Sequence, residues 1–393
     1  MHETVAHIHA WAADLRAEHI ECDRLGRLTA RTVDILRTSG GMRLLQAKTH
    51  GGYEEHPTRF FEWVREIARL NPSAGWVAGV VGVHPWEFAL ADPRVQDEIY
   101  GRSIDTWVAS PYAPQGRARP VEGGFVLSGE WQYSTGTDHC DWVVLGGIVV
   151  RPEATDEGSP KSPPDVRHFI LPRGDYEIVE DSWQVMGLSG TGSKNIRIAD
   201  AFVPEYRTVA HAPLSEGEYE QRRPGVALYR LPFGCIFSAA IASATFGIAR
   251  GALDVYRDYV QTRVSVGGVA GTADPYQIEA FAEAEADLAA GICHVDTMVN
   301  TWMTKLAAGV AVTRSERLEF RRNQVRAVQR VLYAIDKLFA RAGSAAIWTT
   351  RPLEHYWRDL RTAGTHVCNA IETVYGSWAA HELQTGAPIR TFH

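Results

Sequence analysis

The chain contains 393 residues, of which 45% are hydrophobic, and its formal net charge at pH 7 is -7. This length exceeds the size at which one hydrophobic core usually stops growing, so we expect two or more packed units. The sequence has neither a basic excess nor a long run of like charges. This excludes the electrostatic footprint of a protein that binds nucleic acid or an anionic membrane, and it favours a small-molecule partner.

Cysteine usage and the first residues both favour a cytoplasmic protein. Five cysteines are scattered without short pairing, which indicates free thiols in a reducing compartment rather than disulfides or a zinc site. The segment from Met1 to Ala10 has charged and histidine residues where a signal peptide has an apolar core, and no run of about 18 apolar residues follows. Histidines and carboxylates do not occur at metal-ligand spacing, so no metal site is expected.

The first 103 residues have the pattern of a helical domain. Apolar residues recur at spacings of three and four at Phe60, Val64, Ile67 and Ala68. The pair Asn71-Pro72 ends that helix, and a second helix is expected from Ser73 to about Ala91. Because it is apolar on nearly every side, this second helix should be buried. His84 lies near its end, directly before Pro85, which disturbs helical geometry.

The pattern changes to short β runs separated by turns between residues 104 and 210, which predicts a small antiparallel barrel or sandwich. The expected strands are Ile104–Ala109, Gly124–Leu127, Trp142–Val150, Val166–Leu171, Tyr176–Val179 and Asn195–Phe202. The insert from Pro152 to Asp165 is rich in Pro, Ser and acidic residues and is expected to be an exposed loop.

Residues 211–393 are expected to form an antiparallel helical bundle after a loop at about Pro213 to Pro224. Three long apolar stripes predict its helices. The stripes are Leu253, Tyr256, Val260 and Val264; Leu288, Ile292, Val295, Val299, Trp302 and Leu306; and Val325, Val328, Leu332, Ile335 and Phe339. The chain is therefore mainly α with a central β domain.

Two segments of the β domain, Trp131–Gly136 and Gly187–Ser193, are rich in glycine and hydroxyl residues. Small hydroxyl side chains and open backbone N–H groups beside a tryptophan suit a flat heteroaromatic ring with carbonyls and ring nitrogens. Ordinary β turns or bulges explain each segment equally well. No Gly-x-Gly-x-x-Gly joins a strand to a helix, which disfavours a Rossmann nucleotide site.

These segments, together with Trp357-Arg358-Asp359 near the end of the chain, resemble the acyl-CoA dehydrogenase superfamily. Within it the chain is similar to the oxygenase components of two-component flavin-dependent monooxygenases, such as hydroxyphenylacetate hydroxylase. The resemblance implies an N-terminal helical domain over 1–103, a small β barrel over 104–210 and a C-terminal four-helix bundle over 211–393. It also implies a homotetramer.

The resemblance implies an activity as well. A separate NAD(P)H:flavin reductase would supply reduced flavin, FMNH2 or FADH2, and O2 would be the co-substrate. The enzyme would form a C4a-hydroperoxyflavin and transfer one oxygen atom to a phenolic or polyketide-like aromatic. The missing nicotinamide fingerprint fits an enzyme that relies on a separate reductase.

Cofactor-binding residues follow from the same resemblance. The first segment would lie against the isoalloxazine ring, with the Thr135 hydroxyl positioned for flavin N5, and the second segment would flank the flavin on its other side. The implied residues are Trp131, Ser134, Thr135, Gly136, Gly190, Thr191, Gly192 and Ser193. Arg263 resembles an arginine that binds a flavin phosphate across a subunit boundary, although a solvated helix end explains it equally well.

The implied catalytic residues are His84, Ser110 and His366. His84 and Ser110 match a pair that holds the phenolic oxygen of the substrate, and ionisation of that oxygen makes the ring a better nucleophile. A structural core histidine remains the alternative for His84. His366 matches a histidine placed close to flavin and substrate in the aromatic hydroxylases.

Two other enzyme classes share this fold. An acyl-CoA dehydrogenase or oxidase has a glutamate base where this chain has Val367, and Glu372 lies well away from that position on a helix. An N-hydroxylase of an amino sugar or amine would leave His84 and Ser110 without a phenol. A non-catalytic ligand-binding relative would not consume reduced flavin in the presence of oxygen.

Overall fold

The computed structural model describes residues 2–150 and 164–389. Most of the Pro152–Asp165 insert, expected to be an exposed loop, lies outside the described residues. The N-terminal part is helical, as expected. Its helices are α1 (Glu3–Ala10), α2 (Ala12–Leu25), α3 (Ala30–Ser39), α4 (Pro57–Leu70), α5 (Pro72–Phe88) and α6 (Pro93–Tyr100).

Helix α5 is the centre of the molecule, and all 17 of its residues are buried. It begins where the sequence predicts, because the Asn71 side chain accepts a hydrogen bond from the N–H of Ala74 (3.0 Å) and Pro72 occupies the first turn. Gly75 permits close packing against α4, since a Cβ there would lie 2.2 Å from the Cα of Ala68.

Eight strands form one sheet, with the order β6-β7-β3-β2-β4-β5-β8 and with β1 paired to β4. The strands are β1 (Val108–Ala109), β2 (Gly116–Val121), β3 (Gly124–Ser134), β4 (Trp142–Val149), β5 (Val166–Pro172), β6 (Glu177–Val179), β7 (Lys194–Pro204) and β8 (Thr208–Ala210). The β1–β4 and β2–β4 pairings are parallel, so the sheet is mixed rather than wholly antiparallel as expected.

Three strand predictions need correction. The first expected strand shrinks to Val108–Ala109, and Ile104 is 42% exposed ahead of it. Strand β2 was not predicted, because its Arg-Ala-Arg-Pro stretch exposes most of its side chains and lacks an apolar run. The short β8 was missed because three residues are too few for a periodic signal.

The C-terminal part is helical again, and α8 packs against α4 and α5 as well as α9, α10 and α11. Its helices are α7 (His211–Glu216), α8 (Phe233–Thr262), α9 (Pro275–Ala307), α10 (Arg314–Ala342), α11 (Pro352–Gly364) and α12 (Ile371–Glu382). Helix α7 occupies part of the expected loop. Helix α8 ends before Val264, which is 66% exposed and does not continue the first stripe.

Helix α8 is the most apolar long element. By length and composition it could cross a membrane, but 94% of its most apolar 18-residue window is buried inside the protein. This burial is typical of a core helix. All five cysteines are free, and only Cys293 among them is exposed.

Candidate active site

Helix α5 contacts most of the residues expected in the site. The Trp76 ring lies edge-on to the His366 ring, with centroids 5.6 Å apart. The next residue, Val77, lies against Gly136, where an added Cβ would be 3.0 Å from a Val77 methyl group. His84 lies near the end of the same helix. Residues distant in sequence therefore meet along one buried helix.

His84 and Ser110 form a hydrogen-bonded pair. Nδ1–H of His84 donates to the carbonyl of Val108 (2.6 Å), because a carbonyl can only accept. Nε2 is therefore free to accept from the Ser110 hydroxyl (2.5 Å). Burial lowers the pKa of His84 to about 4, so the imidazole is neutral at pH 7. The oxygen of Ser110 keeps lone pairs that can accept a hydrogen bond from a ligand hydroxyl.

His366 lies just beyond the end of α11. Its Nδ1 accepts the N–H of Cys368 (3.1 Å) and caps the short 3-10 turn Val367–Asn369. The proton of the neutral ring is consequently on Nε2. Burial lowers the pKa of His366 to about 4, and the guanidinium of Arg321 lowers it further.

The Phe237 ring lies between the surroundings of His366 and those of His84. Its ring centroid lies 6.3 Å from that of His366 and 5.4 Å from that of Tyr112. Tyr112 in turn packs edge-on against His84, with ring centroids 5.6 Å apart. The three expected catalytic residues therefore share one aromatic enclosure.

The two glycine-rich segments meet through their hydroxyl groups. Ser193 Oγ lies 2.9 Å from Thr135 Oγ1 and 2.8 Å from Thr191 Oγ1, and the N–H of Gly136 donates to the carbonyl of Thr191 (2.9 Å). Both Gly136 and Gly192 have positive φ, a conformation that favours glycine. We call Thr135, Thr191 and Ser193 the hydroxyl cluster.

The hydroxyl cluster is chemically suited to a flavin. The buried hydroxyls of neighbouring Ser134 and Thr137 have no hydrogen-bond partner in the described part of the chain. Unsatisfied buried hydroxyls are uncommon in native proteins and are often explained by an absent ligand. Neutral hydroxyls next to glycine backbone match the ring nitrogens and carbonyls of an isoalloxazine.

Trp131 is enclosed by the protein. Its ring is fully buried, its N–H donates to the carbonyl of Gly146 (2.7 Å), and Gly116 and Gly129 pack against the ring. The indole therefore supports the strand that carries the hydroxyl residues, and it does not form an open wall.

The Gly187–Ser193 segment is held by two carboxylates. Asp359, fully buried, accepts the N–H of Leu188 on Oδ1 (2.6 Å) and lies 3.0 Å from His19 Nε2 through Oδ2. Asp23 accepts the N–H of Gly190 (3.1 Å). Leu188 has a φ of +56°, so these contacts fix a residue in a conformation that is rare for non-glycine residues.

Asp359 does not pair with its neighbour Arg358. Arg358 instead binds Glu354 (2.7 Å) and donates to the carbonyl of Met186 (2.6 Å). Both residues of the Arg-Asp motif therefore contact the glycine-rich segment. No sequence pattern identifies His19, because it lies 340 positions from its partner Asp359.

His19, Asp23 and His355 form a group whose ligand atoms lie within 4.8 Å of one another. The geometry resembles a metal site, but Arg358 donates to His355 Nδ1 (2.9 Å) and thereby occupies that lone pair. A guanidinium at this position also repels a cation. We assign this group to the support of the glycine-rich segment.

Arg263 lies at the C-terminal end of α8, with its guanidinium 5.8 Å from the centre of the Tyr259 ring. Within the described residues, no hydrogen bond or ion pair links it to the other site residues of the same chain. The position of the dehydrogenase base carries Val367, whose side chain is 70% exposed, and Glu372 is also exposed.

Comparisons with known proteins identify the family of this chain. Residues 239–370 match the family model of the acyl-CoA dehydrogenase C-terminal domain. A pigment production hydroxylase of Rhodococcus erythropolis is 42% identical over 375 residues, covering 95% of this chain and 94% of its own. The flavin-dependent monooxygenase oxygenase subunit HsaA of Rhodococcus jostii is 35% identical and covers 95% and 96% of the two chains.

A solved structure shows the same architecture. The crystal structure of 3-HSA hydroxylase from Rhodococcus sp. RHA1 has a TM-score of 0.91 and 34% identity, with 100% of this chain and 98% of the other covered. The fold is therefore that of the acyl-CoA dehydrogenase superfamily, as the sequence predicts. Within it, the chain belongs to the oxygenase components of flavin-dependent monooxygenases. This membership confirms the predicted enzyme class and flavin cofactor, and it replaces the dehydrogenase alternative.

Proposed function

We propose that the enzyme hydroxylates a phenolic or polyketide-like aromatic with reduced FMN or FAD delivered by a separate NAD(P)H:flavin reductase. The hydrogen-bonded pair of His84 and Ser110 is the observation that carries this proposal. It presents a hydroxyl oxygen as an acceptor inside an aromatic enclosure, as a phenol requires. The names of the similar oxygenase subunits support the need for a reductase.

The flavin supplies the activation of O2 when it is bound. Thr135, Thr191 and Ser193 would hold its ring through neutral hydrogen bonds, and the glycines beside them would allow close approach of the backbone. Two carboxylates fix the segment that carries Thr191 and Ser193, so these donors are positioned before the cofactor arrives.

We call the pair of His84 and Ser110 the clamp. There Ser110 accepts the substrate hydroxyl while its own proton is directed to Nε2 of His84. Withdrawal of the phenolic proton makes the ring more nucleophilic at the moment of oxygen transfer. His366 offers its Nε2–H as a hydrogen-bond donor near the reacting atoms. The surrounding rings of Trp76 and Phe237 exclude water from the site.

We further propose a cytoplasmic homotetramer in which Arg263 of one protomer binds a flavin phosphate of another. Three exposed valines follow Arg263, and their fractional exposures of 66%, 111% and 48% leave an apolar surface that association would cover. They are Val264, Val266 and Val269. Light scattering should give four times the mass of one chain. Arg263→Ala should weaken flavin binding.

The activity is tested by anaerobic mixing of the protein with FMNH2 or FADH2, followed by rapid addition of oxygen. The protein should change the time course of flavin oxidation relative to a protein-free control, and a phenolic substrate should change it again. Flavin oxidation identical to that of the control would refute the proposed monooxygenase activity.

A further inference from the structure

A fully buried carboxylate lies one turn after the clamp on α5. Glu87 accepts the hydroxyl of Tyr112 on Oε2 (2.5 Å) and lies 2.6 Å from Nδ1 of His168 through Oε1. Glu87 is 0% exposed and His168 is 1% exposed. A buried charge of this kind is costly and requires partners, which these two side chains provide.

The hydrogen bonds continue outward from His168 to the surface. His168 Nε2 lies 3.1 Å from His211 Nδ1, and His211 Nε2 lies 3.4 Å from Ser215 Oγ. His211 and Ser215 are on α7 and are only partly buried. The interactions therefore run from a fully buried acid to the edge of the protein.

The inner end of this series reaches the clamp. The Tyr112 hydroxyl bonds Glu87, the Tyr112 ring packs against His84, and the nearby Ser110 hydroxyl offsets part of the rise in the pKa of Tyr112. Aromatic side chains enclose the path, since the Phe233 centroid lies 5.3 Å from the Tyr112 centroid and 5.5 Å from the His168 centroid. A continuous series of polar groups in an apolar sheath thus joins Ser110 to Ser215.

The protonation properties of the series suit transfer rather than storage. Burial lowers the pKa of His84 to about 4, so a proton accepted at the clamp is not retained there. Burial alone would raise the pKa of Glu87, but the charge and hydrogen bond of His168 outweigh it and lower that pKa. Burial and the Glu87 charge raise the pKa of Tyr112, which therefore remains a donor.

We propose that this series is a relay that carries the proton of the substrate hydroxyl from the clamp to water, an inference that rests on the proposed phenol site. Its members are Ser110, Tyr112, Glu87, His168 and His211. A buried ion pair with a purely structural role would need only Glu87 and His168. Polar side chains that continue beyond this pair, inward to the clamp and outward to the surface, favour proton conduction.

The transfer is balanced and moves no electrons. The phenol gives its proton to Ser110, whose own proton turns from Nε2 of His84 to the oxygen of Tyr112, and Tyr112 passes its proton to Oε2 of Glu87. His168 then loses its Nε2 proton to Nδ1 of His211, and the Nε2 proton of His211 leaves toward water. One phenolate and one released proton result. This leaves Glu87 and His168 both neutral. The ion pair returns by the reverse steps: a proton from water re-enters through His211 to Nε2 of His168, and the Glu87 proton passes back through Tyr112 and Ser110 to the product oxygen.

The test uses 4-nitrophenol, whose neutral and ionised forms absorb at different wavelengths. The full chain without flavin is mixed with neutral 4-nitrophenol in a stopped-flow instrument, and the appearance of bound phenolate is followed. Tyr112→Phe should slow this step about tenfold. The 4-nitrophenol dissociation constant should change less than twofold. Tyr100→Phe is the matched control, since the buried Tyr100 hydroxyl has no partner in the described residues.

Chemical rescue separates conduction from structure. His211→Ala should also slow phenolate formation, and added imidazole should restore the rate in proportion to its concentration, because the outer end is accessible. Wild-type rates in both variants would refute the relay while leaving the phenol site intact. Absence of rescue would also refute the relay. Failure of the wild-type protein to bind 4-nitrophenol would refute the proposed phenol site and the relay with it.

Discussion

The hydroxyl cluster and the clamp are both close to helix α5, but their side chains differ in charge and in hydrogen-bond partners. Thr135, Thr191 and Ser193 are neutral and bond mainly to one another and to backbone. His84 instead has a pKa lowered by burial and lies one turn from a buried carboxylate, Glu87. Substitutions in the first region should change flavin binding, whereas those in the second should change oxygen transfer and its pH dependence.

The largest expected effect concerns the support of the hydroxyl cluster. Asp359→Ala removes a buried carboxylate from His19 and from the N–H of Leu188, which should lower the free energy of unfolding by about 3–5 kcal/mol. Urea denaturation measures the loss. Asp258→Ala is the control, because that side chain is 72% exposed and should change stability little. Equal stability of the two variants would contradict the anchoring role of Asp359.

The clamp should separate catalysis from cofactor binding. His84→Ala should reduce the hydroxylated product formed per flavin oxidised by about 100-fold, because it removes the acceptor of the Ser110 proton. Reduced-flavin affinity should stay within twofold. His366→Ala should likewise depress hydroxylation more than flavin binding. His294→Ala, at a partly exposed histidine of α9, serves as the control. Loss of flavin affinity in parallel with product would contradict the separation of the two regions.

Stability should depend on pH through the clamp. The pKa of His84 is about 4 in the folded protein and ordinarily 6.5, so the unfolded chain takes up a proton first as pH falls. Folding stability should therefore decrease between pH 6.5 and about 4, and one such histidine accounts for about 2 kcal/mol between pH 7 and pH 5. His84→Asn should remove this contribution to the pH dependence of folding stability. Urea midpoints at the two pH values test this, and an undiminished pH dependence in the variant would contradict the assignment.

The smallest effect belongs to the hydroxyl cluster itself. Thr135→Val deletes the hydroxyl that bonds Ser193, and loss of one neutral hydrogen bond to the flavin should cost about 1 kcal/mol, or about fivefold in affinity. Binding of 4-nitrophenol should not change. Thr135→Ser keeps the hydroxyl and is the matched control in a fluorescence titration with flavin. Identical affinities for the two variants would exclude a flavin contact by the Thr135 hydroxyl.

Local signals predict much of this architecture. Asn71-Pro72 marks the boundary of α4 and α5, and the uninterrupted apolar character of α5 predicts its burial. The glycine and hydroxyl residues identify two segments, Trp131–Gly136 and Gly187–Ser193, that do meet in the fold. Such features are readable because a few neighbouring residues determine them.

Long-range polar contacts are not readable in the same way. Asp359 looks like the partner of adjacent Arg358, but its bonds reach His19 and Leu188. Likewise Glu87 and His168 are 81 positions apart, on a helix and a strand with unremarkable local patterns. A buried carboxylate can bond any suitable donor that the fold brings near, so its partner depends on tertiary packing and leaves no periodic trace.

The central claim is that the hydroxyl cluster and the clamp are two sides of one active site. A crystal structure of the protein with FAD and 4-nitrophenol tests it most directly. We predict that the isoalloxazine lies within hydrogen-bond distance of the Thr135 or Ser193 hydroxyl, and that the phenolic oxygen bonds Ser110. An isoalloxazine away from the cluster, or a phenol with no contact to Ser110, would contradict the account.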